Sequence, residues 1–133
     1  MLWGLLVLSC LVTLVFYKAT TNSKSLTKNF KIIDVAIKDV KIYKGVFFLR
    51  YTFSLKSEVI NGQTSLAVGN TNLTYLSKVF VGQKILLAVD STNQSNNLLL
   101  LSRQDYKQFH IYPSDSIIMI FKKIDSLRLT KFN

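Results

Sequence analysis

The sequence predicts a mainly β domain, a small barrel or curled antiparallel sheet with one or two short helices, carried behind an N-terminal transmembrane helix. Three observations predict it. Every charged side chain lies after Tyr17. Further on, Phe47, Leu49, Tyr51, Phe53 and Leu55 alternate with the mostly polar set Phe48, Arg50, Thr52, Ser54 and Lys56, the period-two pattern of a half-buried strand. A chain of 133 residues, 49% apolar and with a single Pro, suits one ordinary domain and excludes a disordered or low-complexity one.

The opening run Met1–Tyr17 (MLWGLLVLSCLVTLVFY) is interrupted only by Gly4, Ser9 and Thr13. Each Leu, Val or Phe near a helix centre favours insertion by roughly 0.3 to 0.6 kcal/mol. Leu2 to Tyr17 as a helix measures about 24 Å, short of the ~30 Å hydrocarbon core. Continuing to Thr21 with Lys18 snorkelling closes most of the gap. The span is carried by Leu2, Leu5, Leu6, Leu8, Leu11, Leu14 and Phe16, with Trp3 and Tyr17 near its two interfaces.

A cleaved signal peptide is disfavoured, because no basic region opens the run and Tyr17 occupies a position that cleavage near Ala19 needs small. A lipoprotein reading on Cys10 is disfavoured because the apolar run continues well past it. Residues 1–21 are therefore read as a retained transmembrane helix, residues 22–29 as a polar juxtamembrane linker and 30–133 as the folded domain. No Lys or Arg precedes the span, whereas Lys18, Lys24, Lys28 and Lys31 follow it closely. These four set topology and meet headgroups. By the positive-inside rule they lean towards placing the domain in the cytosol, on the inner membrane if the chain is bacterial. Basic residues upstream of Met1 would invert that orientation.

Within the domain, Ile33, Val35 and Ile37 point one way along a strand, while Val40 and Ile42 continue in the opposite phase. A bulge near Asp39 is the expected remedy. Asn61-Gly62 has the composition of a type I′ turn, which predicts a hairpin of 46–60 with 63–68. Leu73, Leu76 and Phe80 then take a helical spacing, with Thr71 or Asn72 as cap and Gly82 as stop. Lys84–Val89 and Leu98–Leu101 are apolar runs flanking the polar stretch Asp90–Asn97 (DSTNQSNN), a long-loop hairpin. Ser102-Arg103-Gln104-Asp105 fits a capping box before one or two helical turns. From Ile117 the pattern is ambiguous; its β-branched residues and the Leu127/Leu129 alternation favour strands, against a helical face of Ile117, Ile120, Phe121 and Ile124.

Chemistry is sparse. With one Cys and one His, the chain excludes a disulfide framework and the usual thiolate or His-rich metal sites. His110 stands without a nucleophile motif, the seven Asp and Glu residues are scattered, and the glycines form no phosphate loop. Neither an enzyme nor a cofactor is expected.

The net charge of +10 raises nucleic-acid binding. Lys44–Tyr51 echoes an RNA-binding signature, but Val46 and Phe47 fill positions that the signature reserves for an aromatic and a small residue. Nucleic acid is therefore the alternative, with anionic lipid, through the basic first strands. The favoured expectation is a protein partner docking on a sheet edge or on the outward face of Phe48 and Arg50, alongside the lipid around the anchor.

From Val46 to Ser116 the order of features resembles a group of short, uncharacterised bacterial membrane-anchored proteins with a small β-domain. The likeness is carried by Tyr51-Thr52-Phe53, Asn61-Gly62, Val79-Phe80-Val81-Gly82-Gln83-Lys84, Ile85–Val89, the Asp/Asn-rich loop, Leu98–Leu101 and Ser102–Ile111. It implies an anchor and a fold, and brings no catalytic residues.

Overall fold

The computed structural model describes residues 24–69 and 71–129. The transmembrane span read over 1–21, with Lys18, lies outside the described residues. Among those described, no helix is long and apolar enough to cross a membrane.

The domain is mainly β. Five strands, β1 (Phe30–Tyr43), β2 (Val46–Leu55), β3 (Glu58–Leu66), β4 (Lys84–Asp90) and β5 (Asn97–Leu99), form one antiparallel sheet in the order β3-β2-β1-β4-β5. Helix α1 (Leu73–Phe80) joins β3 to β4, and α2 (Arg103–Gln108) and α3 (Asp115–Leu129) follow β5. The sheet curls into a half-barrel. Strand β1 makes this possible by changing partners midway: Phe30–Ala36 pair with β4, and Ile37–Tyr43 pair with β2. The register slips between Ile37 and Asp39, at the bulge expected from the phase change, so Val35, Ile37 and Val40 are all buried. Ile42, next in that phase, stays half exposed near the hairpin tip.

Strand β2 buries Phe47, Leu49, Tyr51 and Phe53, as its alternation predicts, and half-buries Leu55. Its turn is not where composition placed it. Asn61 and Gly62 lie inside β3, opposite Thr52 and Tyr51, while Lys56 and Ser57 make the tight turn at φ +51° and +66°. Turning there sets Ile60 against Phe53 and Leu66 against Phe47, which keeps the apolar residues of both strands on one face. The first hairpin closes in the same way at Lys44-Gly45, with φ +48° and +78°.

The curl is tied across the sheet. The Tyr51 hydroxyl on β2 donates to Asn97 Oδ1 on β5 at 2.8 Å, although β1 and β4 lie between those strands in sheet order. The Lys56 ammonium at the β2–β3 turn likewise reaches the Ser91 carbonyl at 3.4 Å.

Asn72 caps α1 by accepting from the Tyr75 N–H at 2.8 Å, and Gly82 follows it at φ +79°. Leu76, Val79 and Phe80 are buried, whereas Leu73, read as part of that face, is exposed. The β4–β5 hairpin and the Ser102/Asp105 capping box form as read.

The tail is a correction. Residues 115–129 are a helix, not strands, and Ile117, Ile120, Phe121, Ile124 and Leu127 are buried along one face. Weak helix propensity in β-branched residues is worth a few tenths of a kcal/mol each, whereas burying a large apolar side chain yields about 1.5–3 kcal/mol. Burial decides it. A second difference lies at the start: residues 24–28 of the segment read as linker are helical, and Leu26 is buried in the core.

Candidate functional site

The end of the domain nearest residue 24 is built around one carboxylate. Asp90, the last residue of β4, is fully buried. Its Oδ1 accepts from the Thr92 N–H at 2.8 Å, the Thr92 hydroxyl at 2.6 Å and the Asn93 N–H at 3.3 Å. Its Oδ2 accepts from the Ser25 hydroxyl at 2.6 Å and the Asn96 amide at 3.2 Å. A buried carboxylate persists when its lone pairs are filled in this way. The Ser25 hydroxyl, followed by the Thr92 side chain and backbone, holds the carboxyl well below the usual carboxylate range against the opposing effect of burial.

This node does two things. It folds the polar Asp90–Asn97 loop on itself, and through Ser25 it fixes the helical turn 24–28 against the sheet. The Ser91 N–H adds a bond to the Asn29 carbonyl at 2.7 Å. The path by which the chain enters the domain is therefore set by specific hydrogen bonds.

A pH test follows. Because the folded-state pKa is depressed, the stability that Asp90 contributes is fully present above the ordinary carboxylate pKa of ~3.9 and is lost as pH falls below it towards the depressed value. Urea midpoints at neutral and acidic pH should fall further on acidification for the native chain than for Asp90→Asn, which starts lower. Parallel losses in the two would contradict this role.

Around that node stand exposed lysines. Lys24 and Lys28 lie on the helical turn and Lys31 at the start of β1, and the Lys56–Ser91 contact brings a fourth lysine to the same end. Lys56 was not among the residues singled out in the sequence, since the turn that delivers it has no turn-forming composition. Ser25 and Asp90 were also missed. The only local signal was Asp90-Ser91-Thr92, the composition of a turn in which an Asp side chain caps the backbone two residues on.

Phe48 and Arg50 stand apart from this end. Both are half-buried on the outward face of β2, Phe48 between Lys41 and Ser65, and Arg50 between Asp39 and Gln63. Arg50 pairs with Asp39 at 3.6 Å. Beside them runs β3, whose other long edge pairs with no strand among the described residues.

His110 is exposed just past α2, at φ +55°. Among the described residues, no three His, Cys, Asp or Glu side chains gather as a metal site. No family model, curated protein or solved structure matches the chain.

Proposed function

We propose that this chain is a non-enzymatic single-pass membrane protein that presents its small β-rich domain for protein–protein interaction, as an accessory subunit, immunity-type protein or scaffold component. On this reading the span of residues 1–21 is retained and confines the domain to the membrane surface, which raises its effective concentration towards a partner in the same membrane.

The observation that supports it most is the edge of β3 that pairs with no strand among the described residues. Its nine residues carry neither Lys nor Pro, the usual devices that blunt an edge, and Val59 on it is 68% exposed. An extended segment of a partner adds to such an edge through backbone hydrogen bonds, with Phe48 and Arg50 beside it to select side chains.

The second reading, binding of anionic lipid, has Lys24, Lys28, Lys31 and Lys56 in its support, each worth about 1 kcal/mol near an anionic surface. It is compatible with the first, since Lys24, Lys28 and Lys31 lie on the helical turn and the start of β1, and only Lys56, in the β2–β3 turn, adjoins the β3 edge. Nucleic acid gains less support, because Arg50 is engaged with Asp39.

Cross-linking and pull-down from detergent-solubilised native membranes test the proposal. The native chain should recover one stoichiometric protein, and the double variant Gln63→Lys/Ser65→Lys, charged along the edge, should recover roughly tenfold less of it. Recovery of nucleic acid alone, with affinity falling steeply in added salt, would overturn it.

A further inference from the structure

We propose that the tip of the β1–β2 hairpin, residues 41–46, docks on an anionic phospholipid surface, with Ile42, Tyr43 and Val46 entering the headgroup–acyl boundary. This docking stands apart from the edge-docking reading of β3. It also differs from lipid contact through the lysines near residue 24, because β1, 14 residues at about 3.3 Å each, separates that end of the domain from the tip.

The tip is apolar where a solvated hairpin is polar. Ile42, Tyr43 and Val46 are 51%, 64% and 42% exposed, and they stand around a single turn. Exposed apolar side chains gathered in this way mark a protein or membrane contact. Cross-strand pairing sets their directions. Ile42 lies opposite the buried Phe47 and shares its inward face, whereas Tyr43 lies opposite Val46 on the outward face. Apolar groups thus leave the tip on both sides, which makes it a wedge and not a flat face. A fluid acyl layer closes around a wedge, whereas a folded partner needs a cleft shaped to it.

A second feature points to lipid. Between the tip and the end of β3 lies a depression of about 210 Å³, walled by Val46, Phe47, Leu66, Ala67 and Val68, with no charged side chain in its lining. It suits a stretch of acyl chain. Cations border this apolar ground. Lys41 and Lys44 are exposed, and the Lys44 ammonium sits 5.3 Å from the centre of the Tyr43 ring, as an interfacial aromatic sits beside a lysine that reaches for phosphate. Arg128 comes to the same end through its bond to the Ala67 carbonyl at 3.2 Å. Opposing charge is scarce. From residue 40 to residue 89 the single acid is Glu58, at the far end of the β2–β3 hairpin, and the flanking Asp39 and Asp125 pair with Arg50 and Arg128. The surface is therefore complementary to an anionic headgroup layer. A nucleic-acid strand would engage the lysines and leave Ile42, Val46 and the depression uncovered.

The test places the full chain in nanodiscs of phosphatidylcholine and offers them vesicles containing about one-third phosphatidylglycerol, or vesicles of phosphatidylcholine alone, with capture read by co-flotation. The anionic vesicles should capture the native chain at least roughly tenfold better. Tyr43→Ser/Val46→Ser and Lys41→Gln/Lys44→Gln should each lower that capture roughly tenfold with little change in Tm, since all four side chains are exposed, while Lys122→Gln captures as the native chain does. Entry into the discs is read separately by size exclusion. Its failure counts against the single-pass reading alone, and the free chain then enters the same flotation. Three results overturn the docking: no preference for anionic vesicles, a serine pair that captures as well as the native chain, which marks a simple polyanion site, or a loss confined to Lys24→Gln/Lys28→Gln.

Discussion

Met119→Pro is expected to cost about 3 kcal/mol of unfolding free energy or more, while Met119→Ala stays within roughly 0.5 kcal/mol of the native chain. Met119 is 54% exposed in α3, so neither change removes a core side chain. Proline at this position deletes the hydrogen bond to the carbonyl four residues back and drives its ring into that carbonyl. The damage falls between Ile117 and Ile120, both buried, and next to Phe121 where it meets Tyr106. Urea denaturation of the full chain in micelles, followed by circular dichroism, reads the effect. If the helix detaches locally instead of unfolding with the whole, the slope of the transition also falls, because less surface remains to be exposed. Indistinguishable Ala and Pro variants would mean that this segment is not a packed helix.

What could be read from the sequence was whatever is encoded over a few neighbouring residues. The inward face of β2, the bulge near Asp39 and the Ser102 capping box each depend on spacing within one element, the β4–β5 hairpin on two apolar runs flanking one polar stretch, and each forms. The β2–β3 turn depends on pairing along the whole hairpin. Placing Lys56 and Ser57 at positive φ costs about 1–2 kcal/mol per residue. The nine pairs from Phe47–Leu66 to Leu55–Glu58 outweigh it, and the turn-forming preference of Asn61-Gly62 goes unused. The Asp90 node joins Ser25 to a residue 65 positions away. The composition of Asp90-Ser91-Thr92 announces the turn, but no local pattern announces its pairing with Ser25. Of the candidate face, Phe48 and Arg50 were legible as outward residues of an alternating strand, whereas the β3 edge beside them emerges only from strand order.

Gly62 does have a function, as a gap. A Cβ built on it would stand 2.6 Å from Tyr51 Cζ and 2.9 Å from its hydroxyl oxygen. The ring has little freedom to move aside: it is 2% exposed, stacks beside Phe53 at 6.4 Å and is pinned through its hydroxyl to Asn97. Gly62→Ala should therefore cost about 2–4 kcal/mol, combining an overpacking penalty of ~1–3 kcal/mol with about 1 kcal/mol for the displaced hydrogen bond. This sign is opposite to the gain of ~0.5–1 kcal/mol that replacing a strand glycine would otherwise bring. In a Tyr51→Leu background the clash is gone, and Gly62→Ala should become neutral or mildly stabilising. The double-mutant cycle should give a coupling of at least about 1.5 kcal/mol, whereas additive costs would refute the contact. Because the Tyr51–Asn97 bond closes the curl from β2 to β5, Gly62→Ala should also disturb how β3 presents its edge. Partner recovery should then fall with Gly62→Ala alone and return with Gly62→Ala/Tyr51→Leu only if that hydrogen bond is dispensable for the curl. Asn97→Ala, which removes the same bond without adding a clash, decides that point independently.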